Sequence, residues 1–403
     1  MKTGSIDLSV SLFDRILPNP LIIASGPNVK NDEDILKCII HGAGGVVTKT
    51  ITFDRNQQVQ PRPRMYVLNK KEMMTRKAFY SFYSIDLMSE YPPEKWVTML
   101  KRSRSRISQM NLEGVIIASI AGRTYEEWEK LADLVASAEV DAIELNLSCP
   151  HVEPGEALMG RAASEDPSIV RKIVKSVKSY SKGIPVIGKL TPHGANPVII
   201  AKAMKDGGAD AVVSTARYRG LLIDVNNLQP VGWDSFGGYG GPWQLPISLA
   251  WTAQLARENL GIPIIGSGGI TSGEDIARFI LVGSQAVQTC TTILLHGLGI
   301  IGRMLDELRT WMSRKGFTRI DEFRGIVLQK IKSIEQLNRE KIYVIKINKN
   351  KCILCGRCIE TCPYNALRKD DNSIYYSFEL CDNCGLCVSI CPVDAIELVN
   401  TKG

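Results

Sequence analysis

Eight cysteines near the C-terminus restrict the chemistry of this chain more narrowly than any other residues. Cys352, Cys355, Cys358 and Cys362 read CxxCxxCxxxC and run into Pro363, and Cys381, Cys384, Cys387 and Cys391 repeat the pattern into Pro392. Two residues between cysteines let one tight turn present three thiolates, and a [4Fe–4S] cube needs four of them. In paired runs of this spacing the fourth cysteine ligates the opposite cluster, so the halves interlock. The assignment is then Cys352, Cys355, Cys358 and Cys391 to one cluster, and Cys381, Cys384, Cys387 and Cys362 to the other. Zinc sites pair two CxxC or CxxC/HxxxH half-sites and need neither the third cysteine nor the trailing proline. Disulfides would imply secretion, and the start MKTGSIDLSV has no apolar signal core. A two-cluster module moves single electrons, so the preceding residues should hold a site that consumes or supplies them.

Candidates for that site end apolar, strand-like runs. Lys49 and Lys189 each close one. An unpaired ammonium is costly to bury. A flavin ring developing negative charge at N1 would accept such a cation; a buried carboxylate is the alternative, easier to grant for Lys49 than for both. Gly266-Ser267-Gly268-Gly269-Ile270 ends a third run and Cys290-Thr291-Thr292 a fourth. Glycines there let backbone N–H groups come close to a phosphate. They do not make a dinucleotide fingerprint, because the third glycine and the acidic residue are missing. A fifth run leads into Glu144-Leu145-Asn146-Leu147-Ser148-Cys149-Pro150-His151. A loop between Ser148 and Pro150 is a poor place for an inert core thiol, whereas Cys38, inside a helical run, reads as one.

The elements that must hold these residues alternate. Apolar, nearly continuous strands are expected at Leu21–Ser25, Gly45–Lys49, Val115–Ile120, Ala142–Leu147, Pro185–Leu190, Ala211–Thr215, Pro263–Gly266 and Ala286–Cys290, as for parallel strands buried on both faces. Helices are expected at Asp32–His41, Pro93–Ser108, Tyr125–Ser137, Pro167–Ser181, Pro197–Lys205, Ile247–Asn259, Ser272–Leu281 and Leu294–Arg314. Eight strands each followed by a helix is the count of an α/β fold of the (β/α)8 TIM barrel type. A doubly wound open sheet seldom alternates eight times without interruption. The connections Ile51–Pro92 and Ala216–Pro246, after strands two and six, are too long to be economical. In a barrel both emerge at the C-terminal face, where active sites lie. Ser5–Arg15 should close the opposite end. The expected division is 1–330 for the barrel and 331–403 for a bridge and a two-cluster bacterial ferredoxin-like module. The bridge lacks a Gly/Ser linker, so the two are expected to pack.

ELNLSCPH, together with VVTKT around Lys49, GKLTP around Lys189, GGYGG at Gly237–Gly241 and GSGGI at Gly266–Ile270, resembles the dihydroorotate dehydrogenase family over nearly the whole chain. With the C-terminal module the sequence most resembles the FMN/iron–sulfur pyrimidine-reducing subunits of bacterial dihydropyrimidine dehydrogenases. The resemblance implies FMN at the barrel mouth, with Ser25, Lys49, Asn146, Lys189, Gly240, Gly241, Gly268, Gly269, Cys290 and Thr291 among its contacts. It implies Asn146, Ser148, Ser84 and Arg217 at the substrate and Cys149 as the general acid/base. The chemistry agrees: reducing a polarised C=C bond needs hydride at one carbon and a proton at its neighbour. A thiol of pKa ~8.5 is protonated near neutrality yet acidic enough to donate.

The departures from the family fall on substrate contacts. After strand six the pyrimidine enzymes carry an Asn-Thr pair; here the positions read Ala216-Arg217. Ser84 begins a run that starts with Asn in the family, and KLTPN becomes Lys189-Leu190-Thr191-Pro192-His193. A buried uracil amide would lose ~1–3 kcal/mol for each group left unpaired. An arginine at Arg217 would instead offer a fork to a carboxylate or phosphate; Arg217 and Arg219 turned to solvent, or toward Glu153 or Glu156, is the plain alternative.

The expected activity is therefore that of an oxidoreductase reducing or forming an activated C=C bond, on a pyrimidine or on another unsaturated, anionic substrate. Without an FAD or nicotinamide domain, a flavoprotein subunit or a ferredoxin must be the redox partner, in a homo- or hetero-oligomer. An electron-transfer subunit with a vestigial barrel would have no use for Asn146, Cys149, Lys49 and Lys189 together, and nothing in the sequence resembles the output domain of a flavin sensor. Eight of eleven cysteines in one module suit a reducing compartment, and the cytoplasm is expected. No apolar run reaches the ~18–20 residues of a membrane span. The net charge of +7 is modest, and no nucleic-acid motif is present. Lys330, Lys332, Lys341, Lys346, Lys349 and Lys351 form either a solvated face or a surface that steers an acidic partner.

Overall fold

Eight short runs of Val, Ile, Leu and Ala pair in parallel, each with the next, and the last with the first. In the computed structural model, which describes residues 6–75, 80–149, 158–193, 196–232, 235–340 and 343–400, these are β1 (Leu21–Ile23), β2 (Gly45–Val47), β3 (Val115–Ile120), β4 (Ala142–Asn146), β5 (Val186–Lys189), β6 (Ala211–Val213), β7 (Ile264–Ser267) and β8 (Ala286–Thr289). They close a barrel in sequence order, with β8 beside β1 through Val287 and Leu21. Nearly every strand residue is buried, because helices cover the outside and side chains fill the inside. The expected barrel is present. Its ladders stop short of several expected strand ends, so Ser25, Lys49 and Cys290 stand just past them on the C-terminal side.

The outer helices are α1 (Asp32–Ile40), α2 (Pro93–Gln109), α3 (Tyr125–Ala136), α4 (Pro167–Tyr180), α5 (Pro197–Asp206), α6 (Leu245–Arg257), α7 (Gly273–Leu281) and α8 (Ile300–Lys315). Local chemistry starts most of them. Asn31, Thr124, Asp166, Asn196 and Ser272 accept a backbone N–H at the N-caps. Pro167 and Pro197 occupy a first helical position, where the missing N–H costs nothing. The single helix expected over Leu294–Arg314 is broken: a short helix Thr291–His296 precedes α8. Gly297 lies between them at φ 79°, a conformation glycine adopts without strain.

An antiparallel hairpin, Val10–Leu12 with Arg15–Leu17, precedes β1. It meets the start of β8 through Gln285 Nε2, which donates to Ser11 O at 2.6 Å, and the start of β4 through Arg15 and Asp141 at 3.5 Å. It therefore sits at the N-terminal end of the barrel. The two long connections join each other over the opposite end. Met65–Leu68 and Ser81–Ser84 from the first, and Gly237–Gly240 and Tyr218–Gly220 from the second, form one four-stranded antiparallel sheet. Ser84 lies opposite Gly238 across that ladder.

The chain divides into two compact units, Met1–Ile331 and Lys332–Gly403. The second repeats one motif twice. Each half is a cysteine-bearing turn, a short helix (Arg357–Glu360 or Leu386–Ile390) and a strand. Positive φ recurs at matching places, Leu354 and Asn383, Gly356 and Gly385, Asn365 and Asp394. Tyr343–Ile347 pairs antiparallel with Ile396–Asn400, and Ile345, Leu367, Ile374 and Ile396 fill a small core with the cysteines. Among the described residues no helix is long and apolar enough to cross a membrane.

Candidate active site

The strands stop at a cavity of about 1170 Å³, counted out to its solvent opening, at the C-terminal mouth of the barrel. Ser25, Lys49, Ser84, Asn146, Ser148, Cys149, Lys189, Arg217, Gly240, Gly241, Gly268, Gly269, Cys290 and Thr291 all line it. The topology accounts for this convergence: each lies at or just past the end of a barrel strand, or on or beside the sheet that spans the mouth.

Two clusters of charged groups set the electrostatics. On the floor, Lys189 Nζ lies 3.4 Å from Glu144 Oε1 and donates to Gln288 Oε1 at 2.8 Å, while Gln288 Nε2 donates to Glu144 Oε2 at 2.6 Å. Glu144 is 0% exposed, so its charge is held by these two partners. On the wall, Lys49 pairs with Asp86, which Arg64 also reaches at 3.4 Å. Burial opposes ionisation of Asp86, but Lys49, with Arg217 and Arg64, outweighs it and holds the carboxyl below its usual range. Both lysines thus have buried carboxylate partners, the alternative that the sequence made easier to grant for Lys49 than for both. The reason is strand periodicity: Glu144 stands two residues before Asn146 and shares its inward face.

Hydroxyls and an amide connect the floor to the segment that carries Ser148 and Cys149. Asn146 Nδ2 donates to Thr50 Oγ1 at 2.9 Å, and Asn146 Oδ1 accepts from Ser148 Oγ at 3.0 Å. Thr50 Oγ1 is also 3.0 Å from Ser119 Oγ and 3.3 Å from Ser25 Oγ. The Asn146 amide is therefore oriented before any ligand arrives. Cys149 is 8% exposed and lines the cavity; Pro150, His151, Glu153 and Glu156 lie outside the described residues. Burial pushes the Cys290 thiol up, against the pull of Arg217. Cys38 does not line the cavity, and burial, with Asp34 and Cys290 adding, raises it to about 12.

Opposite Cys149, the turn after β7 carries Gly268 and Gly269 at φ 100° and 85°. A Cβ on Gly269 would stand 2.5 Å from Leu245 N, so this turn is built from glycine and bare backbone. It faces Thr291 and Thr292, whose Oγ1 donates to Ile270 O at 2.5 Å. A turn of bare backbone amides and a cation on the floor of the cavity fit a flavin mononucleotide. Arg217 donates to Ser84 on the roof. Arg219 instead rests on the Phe236 ring, 3.9 Å from its centre.

In the second unit the cysteines surround two small hollows. Cys352, Cys355, Cys358 and Cys391 line one, and Cys362, Cys381, Cys384 and Cys387 line the other. The backbone N–H groups of Ala366 and Ala395 donate to Cys362 Sγ and Cys391 Sγ at 3.4 and 3.2 Å. Among the described residues no His, Cys, Asp or Glu group converges tightly enough to hold a single metal ion. A cube with an iron at each thiolate needs a wider ring of sulfurs than one ion does.

The profile of the family described as dihydroorotate dehydrogenase matches residues 7–312, and that of the 4Fe-4S dicluster domain matches residues 345–398. The chain belongs to the dihydroorotate dehydrogenase family. The NAD-dependent dihydropyrimidine dehydrogenase subunit PreA of Escherichia coli (strain K12) is 33% identical over 363 residues, 88% of this chain and 85% of that protein. The chloroplastic dihydropyrimidine dehydrogenase (NADP(+)) of Arabidopsis thaliana is 31% identical over 335 residues, covering 80% and 77%. The catalytic subunit of dihydroorotate dehydrogenase B (NAD(+)) from Thermococcus kodakarensis is 32% identical over 322 residues, covering 80% and 98%. As a member of this family the chain is an oxidoreductase acting on CH–CH bonds, with FMN in its barrel and two [4Fe–4S] clusters in its C-terminal module.

Sequence reasoning passed over Glu144, Gln288, Asp86 and Thr50. The signal for the first two was alternation, since Glu144 stands two residues before Asn146 on β4, and Gln288, on β8, two residues before Cys290 just past its end. Asp86 gave none, because it follows the strand Ser81–Ser84 in a connection whose partner strands come from far along the chain.

Proposed function

We propose that this protein interconverts a CH–CH bond and a polarised C=C bond in the barrel, and passes the electrons singly through the clusters to a separate redox partner. The substrate is a planar, pyrimidine-like ring or a close relative. Bound FMN supplies the two-electron exchange with the reacting carbon. Residues 1–330 would hold it, with Ser25, Asn146, Gly240, Gly241, Cys290 and Thr291 as contacts, the backbone of Gly268 and Gly269 available to its phosphate and Lys189 available as a cation for its ring. Asn146 and Ser148, already oriented toward each other, present amide and hydroxyl groups to the substrate. Cys149 gives a proton to the neighbouring carbon on reduction and removes it on oxidation. Its burial keeps water from competing for that proton.

Residues 331–403 hold the clusters, with Cys352, Cys355, Cys358 and Cys391 on one and Cys381, Cys384, Cys387 and Cys362 on the other. A flavoprotein subunit that uses a nicotinamide, or a ferredoxin, takes the electrons, and the two proteins form a hetero-oligomer in the cytoplasm. The observation that carries this reading is the convergence of Lys49, Lys189, Asn146 and Cys149 on one cavity. Anaerobically purified protein should contain about one FMN and about eight irons and eight acid-labile sulfides per chain. With a viologen dye as electron donor it should reduce orotate or uracil. Stoichiometric zinc, or cofactors present with no dye-linked turnover on either compound, would count against it.

A further inference from the structure

The described groups lining the cavity include three cations, Lys49, Lys189 and Arg217, and two carboxylates, Asp86 and Glu144. Lys189 is matched by Glu144 and Lys49 by Asp86, which also serves Arg64. Arg217 is in excess. Among the described residues its hydrogen bond is to Ser84 Oγ, and a hydroxyl leaves the rest of a five-donor guanidinium unused. The fold makes room for it: a Cβ on Gly238 would stand 2.6 Å from Arg217 Cζ. The guanidinium therefore lies flat against bare backbone, on the sheet that roofs the cavity.

We propose that Arg217 is an anion-binding, specificity-determining residue that selects a substrate whose C=C bond is conjugated to a carboxylate and discriminates against a neutral pyrimidine. This rests on the reading of the barrel as a CH–CH oxidoreductase site. A planar guanidinium pairs with a carboxylate through two parallel N–H bonds. A carboxylate conjugated to the C=C bond also draws electron density from the carbon that accepts hydride. Ser84 holds one edge of the fork, and the surplus positive charge around Asp86 favours an anionic ligand over an uncharged one. Ala216 supplies no side-chain partner for a ring amide. A phosphate would use the same fork, but it would not polarise the double bond.

The test titrates the FMN- and cluster-loaded protein with uracil, orotate, fumarate and inorganic phosphate, following the perturbation of the flavin spectrum. Orotate is uracil with one carboxylate added, so the pair isolates the charge. Orotate should bind at least about tenfold more tightly than uracil, and Arg217→Met should weaken orotate and fumarate by roughly 10–100-fold without changing FMN content. Arg217→Lys should fall between, since it keeps the charge and loses the fork. The double change Ala216→Asn with Arg217→Thr should gain uracil affinity at the expense of orotate. Uracil binding as tight as orotate, equal weakening of uracil and orotate in Arg217→Met, or phosphate competing better than either carboxylate would overturn the proposal. Tight uracil binding with turnover would remove the anion site yet leave the oxidoreductase reading. Arg217-dependent orotate binding without turnover would do the reverse.

Discussion

Cys149 and Asp86 carry the residue-scale consequences. Replacing Cys149 with Ser should leave FMN bound and slow turnover by roughly 10²–10⁴-fold, the usual worth of a general acid. Partial recovery at high pH in the oxidative direction is expected, because a hydroxyl loses its proton only at far higher pH than a thiol. Steady-state rates of both proteins across pH check this; equal rates with an authentic substrate remove Cys149 from the mechanism. Asp86→Asn should destabilise the barrel at neutral pH by about 3–5 kcal/mol, since it strands Lys49 in a buried site. The sign of the pH dependence follows from the depressed carboxyl. Its contribution is fully present above the unfolded value of ~3.9 and is lost as pH falls through the folded one. The stability gap between native protein and variant, read by thermal release of FMN, should therefore be widest near neutrality and close only in acid. The residues with one local signature, such as a cysteine between Ser and Pro or a lysine at a strand end, were legible in the sequence. Asp86 was not, because its importance comes from Lys49 and Arg64 pairing with it and from the nearby charge of Arg217, brought together from three separate segments.

At the scale of elements, β4, β5 and β8 carry Glu144, Lys189 and Gln288 as one hydrogen-bonded unit. Glu144→Gln removes a negative charge beside the cation on the cavity floor. The midpoint potential of the bound flavin should rise, on the order of 30 mV or more, equivalent to about 1.4 kcal/mol for a two-electron couple. Spectroelectrochemical titration measures this, and an unchanged potential would mean that the unit only fills space. Gly269→Ala should lower FMN affinity at least tenfold, because a side chain there meets the α6 backbone and strains a left-handed turn; flavin retained through dialysis at native level would contradict it. The strands were readable as apolar runs and their helices from caps and periodicity. The sheet over the mouth was not, since its neighbours Ser81–Ser84 and Gly237–Gly240 lie far apart in sequence and their pairing is a property of the closed barrel. The break before α8 was missed because a single glycine inside an apolar helical run is often tolerated.

At the scale of the whole molecule, two units carry two kinds of chemistry, two-electron exchange with carbon and one-electron transfer through iron. The second unit was almost wholly legible, because thiolate spacing and backbone turns are dictated together: Gly356 and Gly385 take the same left-handed conformation at matching points of the two halves. The substrate was less legible, because it depends on side chains such as Arg217 whose direction only the assembled sheet decides. Rapid anaerobic mixing of the oxidised, fully loaded protein with dihydroorotate, and separately with dihydrouracil, reads the passage of electrons from substrate to flavin to clusters in a single trace. The flavin absorbance should bleach first and the cluster absorbance fall afterwards, with the first step slowed by Cys149→Ser and the second unaffected in its own rate. Clusters that dithionite reduces while neither compound bleaches the flavin would contradict the account, leaving a chain that carries electrons without a working barrel.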